Sequence, residues 1–163
     1  MKKVISKGYT LTVTSWENDG DNYKTKSLTV ESEEEAKSLT QMCNTLFKSC
    51  NNGEGGIGNM CEGEEEGAKE LIVHFMIKHP VLIDTSFIEE NSELKNLINL
   101  KDEEAIEEAI EDLDDSILEE LVDTCMHYNN QLMGGSEYYY SRVCERVDVT
   151  YSDIDVFSQE VNF

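Results

Sequence analysis

The chain has 163 residues and a mass of 18.5 kDa, and 39% of its residues are hydrophobic. This composition suits one globular domain with a hydrophobic core and excludes a disordered acidic tail. The formal net charge is -22, from 35 Asp plus Glu against 13 Lys plus Arg. Such an excess of negative charge disfavours nucleic acid and anionic membranes as direct partners, so we expect a basic protein or metal cations.

The N-terminal fifth of the chain predicts a β-hairpin from about residue 3 to residue 31. Residues 9–14 (YTLTVT) alternate apolar side chains with threonines, which is typical of a half-buried strand, and residues 27–30 (SLTV) repeat the pattern. Residues 18–22 (NDGDN) between them favour a turn. The hairpin therefore predicts one buried face, which carries Leu11 and Val13.

Helices are predicted for most of the central part of the chain. Ser32 and Glu35 form a capping box before a helix that ends near residue 51. A second segment starts at residues 64–66 and stops at Pro80, but its apolar run 71–77 (LIVHFMI) suits either a helix or a buried strand. Asp84 then caps one short helix that continues to about residue 100.

Residues 142–157 (RVCERVDVTYSDIDVF) alternate again and predict one or two strands beside the hairpin. We therefore expect a single α+β domain over residues 1–163. It has an antiparallel sheet, made from the N-terminal hairpin and C-terminal strands, with about four helices packed on it.

The segment from 101 to 123 (KDEEAIEEAIEDLDDSILEELVD) contains twelve carboxylates and one lysine, which is half of the net charge. Apolar residues recur every three or four positions, so the segment predicts one long amphipathic helix that starts at Asp102 and ends before the glycines at 134 and 135. Like-charged pairs four residues apart would together destabilise it by about 2 kcal/mol. The predicted partner-binding carboxylates are Glu104, Glu107, Glu108, Glu111, Asp112, Asp115 and Glu119.

Two explanations of this carboxylate row stay open. Carboxylates one helical turn apart are separated by about 5 to 6 Å, close to the spacing of phosphates along a nucleic-acid strand. A rigid acidic rod could therefore occupy the basic groove of a nucleic-acid-binding protein and mimic DNA. The alternative is a solvated face that serves only solubility.

Other motifs give weak signals. Residues 53–58 (GEGGIG) match a dinucleotide-binding fingerprint, but a helix precedes them and glutamates follow, so we predict a surface loop. Residues 112–123 have the length of an EF-hand loop but carry Ile117 where glycine is needed. His74 and His79 are five residues apart and do not form a zinc-binding pair. We predict no cofactor and no metal site.

The cysteines do not indicate a disulfide framework or a zinc ribbon. There are five of them, an odd number without a C-x-x-C pair, and this pattern favours a reducing cytoplasm. The N-terminus lacks the continuous apolar run of a signal peptide, and no segment is long and apolar enough to span a membrane. A cysteine nucleophile assisted by His127 stays open as an alternative, but no local signature supports catalysis, and we predict no enzyme.

Aromatic side chains offer a second type of contact surface. Three consecutive tyrosines, Tyr138, Tyr139 and Tyr140, cannot all face one core, and Trp16 lies beside the hairpin loop. Exposed aromatic residues often anchor protein contacts. A general interaction or assembly module that uses these residues is therefore the alternative to an acidic binding surface. The sequence does not indicate an oligomeric state.

The N-terminal quarter of the chain supplies a resemblance. Residues 9–30 (YTLTVTSWENDGDNYKTKSLTV), followed by residues 31–39 (ESEEEAKSL), resemble the opening of small accessory proteins of T-even-like tailed bacteriophages. The resemblance includes no catalytic motif. It implies a protein made in the bacterial cytoplasm that acts in host takeover or in evasion of host defence. In that context we predict a non-enzymatic acidic protein that modulates a basic host protein.

Overall fold

The computed structural model describes residues 4–16, 23–47, 65–133 and 146–157. In these ranges the chain has an α+β fold with a three-stranded antiparallel sheet in the order β2-β1-β3 and six α-helices. The strands are β1 (Val4–Trp16), β2 (Tyr23–Val30) and β3 (Arg146–Phe157). The helices are α1 (Glu33–Met42), α2 (Glu65–Lys78), α3 (Thr85–Glu90), α4 (Ser92–Ile98), α5 (Glu103–Glu111) and α6 (Asp115–Met133).

The sheet has one face in the core and one polar face. Leu11 and Val13 of β1 are almost completely buried, as their alternation with threonine predicts. On the opposite face, the Thr12 hydroxyl lies 3.3 Å from the Ser27 hydroxyl, and Thr14 pairs in the same way with Thr25 at 3.2 Å. The predicted hairpin is therefore confirmed, with Trp16 opposite Tyr23 at its end.

The predicted α+β class is confirmed, but the expected number of helices is wrong. There is one C-terminal strand, β3, and it runs antiparallel to β1 from Trp16 opposite Arg146 to Val4 opposite Phe157. There are six α-helices within the described ranges where we expected about four. The two extra helices arise from breaks at residue 91 and at residues 112–114, in segments that were each expected to form one helix.

Helix α1 packs on the sheet and continues into a π-helical turn at Cys43–Phe47. The Ser32 hydroxyl accepts a hydrogen bond from the Glu35 backbone N–H at 3.1 Å, as the predicted cap requires. The Glu35 carboxylate also interacts with the Tyr128 hydroxyl on α6. Burial raises the pKa of Glu35 above its usual value and also raises the pKa of Tyr128. This contact therefore links α1 to α6.

The apolar run 71–77 lies within α2, so this segment is a helix and not a strand. Ile72, Val73 and Met76 are fully buried, and α2 contacts α4, α5 and α6. A helix that is surrounded by other helices is apolar on most sides and loses its amphipathic pattern. This burial explains why periodicity could not identify the segment.

Helix α6 contacts α2, β1 and β2 along its buried face. This face includes three residues that are fully buried or nearly so: Leu121, Cys125 and Leu132. Asn129 is also completely buried, and neither its side-chain oxygen nor its side-chain nitrogen has a hydrogen-bond partner among the described residues. Such an unpaired amide destabilises the fold by roughly 1 to 3 kcal/mol. Asn129 is therefore the weak point of an otherwise apolar interface.

Candidate acidic interface

The acidic segment is a helix, a short turn and a second helix, so the predicted single long helix is wrong. The Asp102 carboxylate accepts a hydrogen bond from the Ala105 backbone N–H at 3.0 Å and caps α5, as predicted. Helix α5 ends at Glu111, and Asp112 is its C-terminal cap residue. The chain resumes helical structure at Asp115. The carboxylates therefore do not lie on one rigid rod.

The break has a local chemical cause. The Asp114 carboxylate accepts a hydrogen bond from the Ser116 backbone N–H at 2.9 Å, which is the contact of a helix N-cap. Hydrogen bonds from the Ser116 side chain and backbone hold the pKa of Asp114 below its usual value. Leu113 between the two helices is buried in the core. Asp114 and Ser116 were a recognisable start signal, but the apolar spacing through them favoured a continuous helix.

The same geometry excludes an EF-hand conformation for residues 112–123. Residues 115–123 are helical, whereas a calcium-binding loop turns sharply at its sixth position, here Ile117. Across the described ranges, no group of three or more His, Cys, Asp or Glu side chains is placed to hold a metal ion. The glycine-rich segment 53–58 lies outside the described residues.

Every carboxylate between residues 102 and 123 is exposed. Within the described part of the chain, only Glu103 among these twelve forms an ion pair with a cationic side chain. Its partners are Lys78 and His74 of α2, with the His74 Nε2 atom 3.0 Å from the nearer carboxylate oxygen. Hydrogen bonds from Lys78 and then His74 lower the pKa of Glu103. Glu103 thus ties α5 to α2, and the other eleven carboxylates face solvent without a counter-charge.

Like charges still meet within each helix. Excluding Glu103, the pairs four residues apart that lie inside one helix are Glu104/Glu108 and Glu107/Glu111 in α5, and Asp115/Glu119 and Glu119/Asp123 in α6. At about 0.2 to 0.5 kcal/mol each, these four pairs destabilise the two helices by roughly 1 to 2 kcal/mol at low salt. The like-charge repulsion that the sequence predicts therefore persists in a shorter and interrupted form.

Two adjoining depressions lie between α2 and the acidic helices. One has a volume of about 730 Å³, the other about 400 Å³, and they share Glu70, Ile110 and Glu111. We call the two together the acidic groove. Its carboxylates are Glu70, Glu107, Glu111, Asp115, Glu119 and Asp123; its cationic or titratable nitrogen groups are Lys69 and His74; its apolar residues are Leu71, Ile110, Leu118 and Val122.

The groove divides the predicted partner-binding carboxylates into two sets. Four of them line it: Glu107, Glu111, Asp115 and Glu119. The other three are exposed but do not line it: Glu104, Glu108 and Asp112. Sequence reasoning missed Glu70 and Leu71, because they lie on a different helix some forty residues away along the chain and only the packing of α2 against α5 and α6 brings them here.

The predicted aromatic surface falls largely outside the described residues. Tyr138, Tyr139 and Tyr140 lie in the range 134–145, which is not described. The backbone of Trp16 is paired with Tyr23 on one side and Arg146 on the other, at the end of β1. The contact surface predicted from Trp16 and the three tyrosines therefore stays a prediction.

His79 and Cys125 lie in surroundings that suit a structural role rather than a catalytic one. His79 shares a hydrogen bond with the buried Ser38 hydroxyl at 3.0 Å and stacks on Phe75, with ring centroids 4.2 Å apart. Burial lowers the pKa of His79. Burial also raises the pKa of the Cys125 thiol to about 12, so this sulfur is protonated at neutral pH and is a poor nucleophile. His127 lines a depression of about 580 Å³ that Cys125 does not line.

Comparison with protein-family models, with curated proteins and with solved structures finds no match to this chain. Within the ranges that the structure describes, no helix has the length and apolar character needed to cross a membrane.

Proposed function

We propose that this chain is a non-enzymatic, phage-encoded accessory protein that acts in the bacterial cytoplasm by binding and modulating a basic host protein. The contact surface is the set of exposed carboxylates on α5 and α6. The observation that carries the proposal is that eleven of the twelve carboxylates between residues 102 and 123 have no cationic partner among the described residues.

The placement of the carboxylates along α5 and α6 favours a cationic partner. Repulsion inside α5 and α6 destabilises the free protein, and a cationic partner would relieve this repulsion as it binds. A host protein that binds nucleic acid carries its cations on the surface that contacts phosphates. The carboxylates of this chain would therefore compete with nucleic acid for that surface. The break at residues 112–114 divides them into two short runs, so the imitation of phosphate is one of charge rather than of a straight strand.

The test is affinity capture from a lysate of the host bacterium at low salt. The wild-type chain is compared with a variant in which the glutamates and aspartates at 104, 107, 108, 111, 115 and 119 are changed to Gln or Asn. A control variant carries the same type of change at Glu34, Glu90 and Glu93, which are exposed on α1, α3 and α4. Circular dichroism confirms that all three proteins are folded.

We expect the wild type and the control to retain the same basic protein and to release it as salt is raised, because exposed charges are screened beyond about 8 Å at physiological ionic strength. The six-site variant should lose it. Adding duplex DNA should displace the partner if it uses a nucleic-acid-binding surface. Equal recovery on the wild type and the six-site variant would refute the assignment of α5 and α6 as the contact surface.

A further inference from the structure

We propose that the acidic groove binds one basic amphipathic helix of the partner protein. The apolar side chains of that helix would contact the apolar lining residues, which we call the floor, and its lysines or arginines would contact the lining carboxylates, which we call the rim. This inference rests on the proposed function and specifies the part of the acidic surface that recognises the partner. It also specifies the chemistry of the partner segment, which a general attraction between opposite charges does not.

The floor of the groove is apolar and partly open. Ile110 and Val122 are nearly buried, Leu118 is half-buried, and Leu71 has 37% of its surface exposed. Leu71 is one of two large hydrophobic residues that are exposed to this degree in the described ranges, and the other, Leu100 at 39%, does not line the groove. Leu71 lines the smaller depression together with Glu70, Glu107 and Glu111. A partner that covers Leu71 would remove apolar surface from water.

The rim carries charge from more than one helix. Glu70 lies on α2, while Glu119 and Asp123 lie on α6, and all three line the larger depression. Glu111 and Asp115, on either side of the break between α5 and α6, also line the larger depression. Among the described residues that line it, Lys69 and His74 are the only ones with nitrogen-containing side chains. The groove therefore attracts cations at the rim and apolar groups at the floor.

This combination favours a helix over an extended segment or a flat basic surface. A strand places successive side chains on opposite faces, so alternating apolar and basic residues would point in opposite directions. A helix with apolar residues at spacings of three and four carries a single apolar stripe, and lysines or arginines can flank it on both sides. Recognition of an amphipathic helix in a groove uses these same anchor positions. A flat basic surface could reach the rim but would leave Leu71 and Leu118 uncovered.

The test uses a synthetic peptide of about 14 residues, long enough for a short helix to form on binding. The probe peptide contains only leucine and lysine, with the leucines at positions i, i+3, i+4 and i+7, and it carries a fluorescent label. A second peptide has the same composition with leucines distributed around the helix. Fluorescence anisotropy at low salt gives Kd for each peptide with the full chain.

Matched variants separate the groove from the rest of the surface. Leu71→Ser is compared with Leu100→Ser, because the two leucines have similar exposure. Glu111→Gln combined with E119Q is compared with Glu90→Gln combined with E93Q, since all four glutamates are exposed and none has an ion-pair partner in the described ranges.

We expect the amphipathic peptide to bind more tightly than its redistributed counterpart. Leu71→Ser should weaken binding by about fivefold or more, the effect of losing part of a leucine's burial, whereas Leu100→Ser should not. Glu111→Gln combined with E119Q should weaken peptide binding more than Glu90→Gln combined with E93Q. If both peptides bind equally, or if both glutamate pairs have equal effects and Leu71→Ser has none, the attraction is general and the groove proposal is refuted. Host-protein capture would still decide the proposed function separately in that case.

Discussion

Replacing Glu108 by lysine should stabilise the protein at low salt, because Glu108 is flanked by like charges on both sides. Glu104 lies four residues before it, and Asp112, the C-terminal cap residue of α5, lies four residues after it. All three side chains are exposed. The substitution replaces two repulsive pairs with two attractive ones and places a cation in the last turn of a helix.

The expected gain follows from these pairs. Two repulsions removed and two attractions formed, at about 0.2 to 0.5 kcal/mol each, give roughly 1 to 2 kcal/mol. For a chain of this size, a change of 1 kcal/mol moves Tm by about 2 to 4 °C. Glu120→Lys on α6 is the control. Glu120 is also exposed, but the residues four positions away from it, Ser116 and Thr124, are uncharged.

The measurement is thermal and urea denaturation of both variants, at low salt and at about 1 M NaCl, where the screening length falls to roughly 3 Å. Glu108→Lys should exceed Glu120→Lys in stability at low salt, and the difference should shrink at high salt. Equal stability of the two variants at low salt would show that the carboxylates of α5 do not repel one another measurably. The placement of these carboxylates would then carry no cost in stability.

Three further predictions concern the core. Leu121→Ala should lower the free energy of unfolding in urea by about 2 to 5 kcal/mol, because Leu121 is fully buried, while L100A at an exposed position should have little effect. Asn129→Leu should raise the free energy of unfolding by about 1 kcal/mol or more, since the change removes a buried amide that has no hydrogen-bond partner among the described residues. A loss of stability would mean that the Asn129 side chain forms hydrogen bonds. Burial lowers the pKa of His79, so the unfolded chain takes up a proton more readily than the folded protein does. The wild type should therefore lose stability relative to His79→Gln as pH falls below about 6.5, and a difference independent of pH would contradict this reasoning.

The features that were predictable from the sequence depend on local chemistry. Alternation between apolar residues and threonine identified β1 and its buried face, because a strand with one wet side leaves that pattern directly in the sequence. Asp84 and Asp102 were identified as helix caps because the capping contact spans only two or three residues. The exposure of the carboxylates between 102 and 123 followed from their charge.

The breaks in the helices were not predictable in the same way. Leu113 continues the apolar spacing of α5 into α6, because it is buried beside both helices. A stripe of apolar residues therefore could not distinguish one long helix from two helices that share a core. The decision depends on the Asp114 side chain, which bonds the Ser116 backbone and favours a new helix start over continuation of α5.

The acidic groove was also beyond local reasoning. It requires α2 to lie against both α5 and α6, and the run of apolar residues in α2 did not reveal even whether that segment was a helix. Once α2 is placed, Leu71 and Glu70 become neighbours of Glu111. Contacts of this kind depend on tertiary packing, which a periodicity argument within one element does not address.

The break between α5 and α6 changes how the acidic charge should be explained. A continuous helix would present carboxylates along one line, and either solubility or imitation of a phosphate strand would account for that arrangement equally well. Two shorter helices packed against α2 instead line two adjoining depressions, the smaller of which, between α2 and α5, includes Leu71. Glu104 and Glu108 do not line the groove, whereas Glu111 and Glu119 share it with apolar side chains, an arrangement that solubility alone does not require. The distinction between the two sets is therefore physical. Neutralising the groove carboxylates should weaken binding of an amphipathic helix, while Glu108→Lys should change stability and leave that binding largely intact.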